Sequence, residues 1–133
     1  MTTATMTSKS KTCEDMIDRK YERRHYQFND AYEKMSSENP EIYTEYKDYS
    51  DFWDYLNQNI LDYSYVEENT FNNQPEGYWR LQFSWGGPSD EIRYYTDEKD
   101  KIKKINYVYM DWFDGASLTV RDDIWYTIYE GCR

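Results

Sequence analysis

Residues 77–115 read GYWRLQFSWGGPSDEIRYYTDEKDKIKKINYVYMDWFDG, and this stretch decides the fold. In its first run Trp79, Leu81, Phe83 and Trp85 alternate with Tyr78, Arg80, Gln82 and Ser84. A period of two predicts a strand with one face buried. Gly86-Gly87-Pro88-Ser89-Asp90 follows, where glycines admit positive φ and proline lacks a donor, so the chain turns. A second run, Ile92 to Thr96, is rich in β-branched and aromatic residues, and the charged stretch Asp97 to Lys101 turns the chain again. In the third run Ile105, Tyr107 and Tyr109 share one face while Asn106, Val108 and Met110 share the other. The reading is a three-stranded antiparallel meander.

Upstream of the meander the period changes. Between Cys13 and Ser36, the positions Ile17, Tyr21, Arg24, Phe28, Ala31 and Met35 recur at alternating spacings of four and three, which predicts an amphipathic helix. Arg24 interrupts the seam and is expected to carry its charge outward along a packed stem. Asn39 and Pro40 form a helix start, and Ile42, Tyr46, Tyr49, Trp53, Leu56, Ile60 and Tyr63 continue in the same register. A second helix from Pro40 to about Tyr63 is expected, with Ser50 as a place where it can break and be capped anew. Two such seams joined by a few residues predict an antiparallel helical hairpin.

Residues 66–76 read as a polar connector. Beyond the meander, Asp111 to Gly115 turns the chain, Ser117 to Val120 suits a short edge strand, and Asp122 to Glu130 suits a last helix through Ile124, Trp125, Ile128 and Tyr129. The order α-α-β-β-β-α is that of an α+β domain whose helices cover one face of the sheet. A polar tail over residues 1–12 is expected to be disordered, leaving residues 13–133 as a single domain.

The chain has 133 residues, 38% hydrophobic and 20% aromatic, with sixteen tyrosines and five tryptophans. A core built from these must be narrow and aromatic. Net charge is −10, which repels nucleic acid and anionic membranes and favours partners with basic patches. No run reaches the length of a membrane span and no apolar leader follows the start, so a cytoplasmic location is expected. Cys13 and Cys132 sit near opposite ends; a disulfide between them and two free thiols are both open, and a reducing cytoplasm favours the thiols.

Acidity is concentrated in one third of the chain. From Met35 to Glu76 there are ten acids against Lys47 alone, a local charge of −9. Glu41, Glu45, Asp48, Asp51 and Asp54 fall along one edge of the expected second helix, about 5 to 6 Å apart by helical geometry. Duplex DNA carries its phosphates at a spacing of a few ångströms, so such a row can imitate them in a basic groove. Asp62, Glu67 and Glu68 extend the patch. Trp85, Asp90, Glu91, Asp111, Trp112 and Asp114 form a second expected contact edge at one end of the sheet. The same Asp90, Glu91, Asp111 and Asp114 invite an alternative: paired carboxylates that hold a hard cation or share acid and base roles in a small hydrolase. A homo-oligomer assembled through the aromatic seams is a further alternative.

Other residues carry less. His25 stands without a second histidine or a nearby cysteine, and Gly86-Gly87 lacks any phosphate-loop pattern. Lys99, Lys101, Lys103 and Lys104 make one basic cluster, suited to blunting an edge strand or meeting an acidic partner. No cofactor is expected.

SWGGPSDE in the first hairpin and YVYMDWFDGA after the third strand resemble a signature of small acidic plasmid- and phage-borne proteins. The setting of that family is similar to that of anti-restriction and anti-CRISPR inhibitors, and the match spans residues 79–116. The resemblance implies a non-enzymatic protein that blocks a nucleic-acid-processing complex, with a basic nucleic-acid-binding protein or ribonucleoprotein as its partner. It carries no catalytic residue onto this chain.

Overall fold

The computed structural model describes residues 12–133; of the tail expected at residues 1–12, residues 1–11 lie outside the described residues, and Thr12 belongs instead to the first helix as its cap. Helix α1 spans Cys13–Met35. Thr12 caps it: its side chain accepts from the Asp15 amide while the Asp15 carboxylate accepts from the Thr12 amide. Ile17, Tyr21, Phe28 and Ala31 of the expected seam are buried. Arg24 departs from the expectation. It turns inward to the sheet instead of outward to water, because a buried carboxylate waits there.

The second helix is much shorter than expected. Residues 40–46 form two 3-10 turns, Pro40–Ile42 and Thr44–Tyr46, and only Phe52–Asn59 is α-helical (α2). Asp51, and not Ser50, is its cap, accepting from the Asp54 amide at 2.9 Å. The register of three and four was real but did not carry a continuous helix. Tyrosine is a modest helix former, Glu41 and Glu45 repel one another at i and i+4, and Ile42 finds no core and stays exposed. Tyr46 and Tyr49 instead reach from irregular backbone to set their rings edge-on against Tyr55 of α2.

The sheet has five strands where three were expected in the meander. β1 (Asp62–Val66), β2 (Tyr78–Ser84), β3 (Ser89–Thr96), β4 (Ile102–Asp111) and β5 (Asp114–Thr119) pair antiparallel in sequence order. β1 was hidden in the sequence because Tyr63 continues the helical register of Trp53, Leu56 and Ile60. Its own pattern, Asp62-Tyr63-Ser64-Tyr65-Val66, alternates once β2 is available to pair with it. β5 begins three residues before the expected Ser117, directly out of a two-residue turn.

One face of the sheet packs under the helices. Leu81, Phe83, Ile92, Tyr94, Ile105, Tyr107 and Tyr109 are buried there, as the alternation required. A bulge between Gln82 and Ser84 ends the β2 pattern, so Trp85 leaves the core face and lies 73% exposed. Helix α3 (Asp123–Cys132) buries Ile124, Trp125, Ile128 and Tyr129. Trp125 sits at the centre: its indole donates to the Tyr21 hydroxyl at 2.8 Å and its carbonyl accepts from Tyr94 at 2.7 Å. Cys13 and Cys132 are both free. No helix among the described residues is long and apolar enough to cross a membrane. The other face of the sheet carries Tyr78, Arg80, Glu91, Arg93, Tyr95 and Lys104, partly covered by residues 71–76.

Candidate functional site

The acidic third of the chain runs from the end of α1 through α2 and edge strand β1 to the open face of the sheet. The segment with the 3-10 turns packs on α2, and α2 leads through Leu61, whose amide donates to the Gln82 carbonyl, into edge strand β1. The straight helical row is not built, but its carboxylates are presented. Glu41, Asp48, Glu67 and Glu68 are exposed and their side chains hold no hydrogen bond or ion pair among the described residues. Glu45 is exposed with Lys34 at 3.9 Å. Three others are partly engaged. Asp51 caps α2; Asp54 accepts from the Ser50 amide and from Gln58, both at 2.9 Å. The Ser50 amide is the main reason the Asp54 carboxyl is held below the usual carboxylate range. Asp62 accepts from Ser64 at 2.6 Å and lies 4.0 Å from Arg80.

Asp90 and Glu91 do not belong to a contact edge. They are 4% and 2% exposed, and adjacent strand positions send them to opposite faces of the sheet. Asp90 faces α1. It accepts from Arg24 Nε at 2.8 Å and Nη2 at 3.1 Å, from the Tyr107 hydroxyl at 2.7 Å, and from Ser84 Oγ. Burial, followed by the Asp90 charge, pushes the Tyr107 hydroxyl well above the usual phenol range. Glu91 accepts from Arg93 Nε at 2.6 Å on the opposite face. Nothing in the sequence paired Arg24 with Asp90, since they lie 66 positions apart. The one signal was an arginine inside an otherwise apolar seam.

Of the remaining residues of that expected edge, Trp85, Asp111 and Trp112 come together around Gly87 and Asp114 does not. Asp111 pairs with Asp114 across the two-residue turn Trp112-Phe113 that joins β4 to β5. Trp112 is held at φ 57°, a left-handed conformation uncommon for a bulky residue, and is 85% exposed. Phe113 beside it is fully exposed. Trp85 and Trp112 line a shallow cleft of about 430 Å³ with Gly86, Gly87, Ser89 and Met110. Trp85, Trp112 and Phe113 form an exposed apolar patch at this end of the sheet. Asp114 is turned elsewhere: its carboxylate accepts from the Cys13 amide at 2.6 Å and anchors the start of α1. Burial first, and then Asp114, raises the Cys13 thiol above its usual range.

The turn at residues 112–113 lies by the start of α1 and the carboxylates of residues 38–48 follow its end, across a helix about 35 Å long. The connector after β1, in contrast, reaches the same side as Trp85, with which Phe71 and Glu76 line one cavity. Asp111, Asp114, Asp90 and Glu91 do not converge. Among the described residues no group of three or more His, Cys, Asp and Glu is placed to hold a metal ion. His25 stacks on Tyr21 with Asp122 at 3.9 Å, and Lys103 is bound to Glu76 at 2.6 Å. Comparison with known protein families, with curated proteins and with solved structures finds no match for this chain.

Proposed function

We propose that this chain is a non-enzymatic acidic binding protein that covers the basic nucleic-acid-binding surface of a defence-type nuclease complex, of the restriction or CRISPR kind, and so inhibits it. The observation that carries the reading is the set of uncompensated carboxylates on the segments that precede α2 and follow β1: Glu38, Glu41, Asp48, Glu67 and Glu68 are exposed and unpaired among the described residues. Like charges left together cost stability and give nothing to the fold, whereas a basic partner turns them into contacts. The carboxylates lie on turns and loops and not along a helix, so the mimicry is one of charge density and not of a regular phosphate spacing. The exposed Trp85, Trp112 and Phe113 supply a separate apolar contact, and the resemblance of SWGGPSDE and YVYMDWFDGA to plasmid and phage inhibitors favours the same class of partner.

Displacement of a labelled duplex from purified restriction and CRISPR effector complexes tests this. Glu41→Gln, Asp48→Asn, Glu67→Gln and Glu68→Gln together take the net charge from −10 to −6 without removing any intramolecular bond. The wild-type chain displaces duplex from at least one complex, and the quadruple variant does so about tenfold or more weakly. Equal potency of the two proteins contradicts the reading, as does failure of the wild type against every complex.

A further inference from the structure

The open face of the sheet holds an arrangement that the acidic surfaces do not explain. Arg80 on β2 and Arg93 on β3 stand directly opposite one another in register. Facing like charges destabilise a sheet unless something neutralises them. Arg93 is neutralised by Glu91, and its guanidinium lies over the Tyr78 ring, 4.5 Å from the centroid. Arg80 has no comparable partner. Asp62 is 4.0 Å from its terminal nitrogen and half in water, while its buried Nε has no hydrogen-bond acceptor. The Tyr78 hydroxyl, on a residue 1% exposed, is also buried without a partner.

Both orphaned groups belong to residues lining one partly open cavity of about 490 Å³ between this face and residues 71–76. Its wall adds Tyr95, Lys104 and Trp85. Lys104 Nζ lies 4.6 Å from the Tyr95 ring centroid, and Glu76 at the rim is already bound by Lys103. Arg80, Arg93 and Lys104 line this cavity against Glu76 and Glu91, three cations to two acids, in a chain whose net charge is −10. Native interiors rarely leave such groups unpaired, and an unmet buried donor points to an absent acceptor. An arginine Nε can only donate, and a phenol whose titration burial has pushed upward remains a neutral donor. An oxyanion is the acceptor that meets these donors and the cationic wall of Arg80 and Lys104 at once. The size is that of a small-molecule site, larger than a bare inorganic anion fills, and the aromatic walls suit a flat body.

We propose that this cavity binds a small organic anion, a planar ring bearing a carboxylate or a phosphate, with its oxyanion held by Arg80 and the Tyr78 hydroxyl. The proposal does not rest on the inhibitory reading, although Glu67 of that surface lines a neighbouring cleft with Arg80.

Nitrogen-15 spectra of the full chain, observing the arginine Nε–H signals, are the test. Adenosine 5′-monophosphate, 4-hydroxybenzoate and inorganic phosphate are titrated separately. Arg80 and Arg93 signals are expected to shift saturably with one of the two ring compounds, and which one responds names the oxyanion. Arg80→Gln is expected to weaken that binding about tenfold or more, and Tyr78→Phe several-fold, with the rest of the spectrum unchanged. The hydroxyl-only variant preserves the test where the arginine variant fails to fold. Shifts that stay linear to about 10 mM with both ring compounds overturn the proposal. So does saturation by inorganic phosphate at equal affinity, or unchanged affinity in Tyr78→Phe.

Discussion

Asp90→Asn is the sharpest perturbation of the fold, because it keeps the shape of the side chain and removes only its charge. Asp90 joins α1 to the sheet by accepting two bonds from Arg24, one from Tyr107 and one from Ser84. Asparagine offers a single acceptor oxygen and turns a second donor toward the donors already there. At least one charged hydrogen bond is lost, worth about 1.5–3 kcal/mol, and the bonds from Tyr107 and Ser84 become neutral. Removing one partner of a buried ion pair costs roughly 3–5 kcal/mol. The Arg24 side chain is 26% exposed and recovers some hydration, which places the loss near the lower end, at about 3 kcal/mol. For a chain of this size that is a fall in Tm of about 10 °C. Thermal unfolding followed by circular dichroism reads it directly. Arg24→Gln combined with Asp90→Asn should cost less than the sum of the single changes, since no buried carboxylate is then left unpaired. A fall of under about 3 °C in the single variant, roughly 1 kcal/mol, refutes the assignment of this pair as the tie between helix and sheet.

Three further outcomes follow from the packing. Tyr21, Tyr46, Tyr63, Tyr94 and Tyr107 all have hydroxyls raised above the usual phenol range, in each case mainly by burial. A raised folded-state value means stability is whole below about pH 10 and is lost as the pH climbs above it, so phenolate absorbance and loss of helical signal should rise together there; phenolate appearing in a fully folded chain contradicts this. Trp112→Asn relieves a left-handed tryptophan at φ 57° and is expected to raise stability by about 1 kcal/mol in a urea melt, where a decrease shows that the tryptophan supports the fold. Gly131→Ala sets a methyl group 2.1 to 2.7 Å from three atoms of the Trp53 ring. Overpacking of about 1–3 kcal/mol then exceeds the gain in helix propensity, and the loss should vanish in a Trp53→Ala background; a persistent loss points to a different cause.

The parts of this fold that sequence made legible are those where local pattern and tertiary burial agree. The first helix and the last follow their apolar positions, and strands β2 to β4 follow a period of two. Residues 40–63 separate the two kinds of information. Their aromatic register is that of a helix, yet Ile42 ends in solvent, Tyr46 and Tyr49 reach the core from turns, and Tyr63 lies in a strand. Wide, flexible aromatic side chains cover a neighbour from several backbone conformations, so their spacing constrains the backbone weakly. Pairing partners distant in sequence were beyond reach for the same reason that β1 was, namely that nothing local specifies them. Asp90 and Asp114 stood out as acids in a signature, but their roles as the anchor of Arg24 and the cap of Cys13 depend on where α1 crosses the sheet. The arginines of the open face gave no signal either, because Arg80 and Arg93 become neighbours only through the register of β2 on β3.

The measurement that bears most directly on the proposed function is the salt dependence of inhibition, on a complex whose duplex this chain displaces. A contact made by uncompensated carboxylates on a basic groove should weaken by about tenfold or more between roughly 50 and 300 mM salt. In the variant with Glu41, Asp48, Glu67 and Glu68 neutralised, that dependence should largely flatten. Inhibition that holds across the same range, and equally in both proteins, would contradict the carboxylate surface and place the contact on Trp85, Trp112 and Phe113 instead.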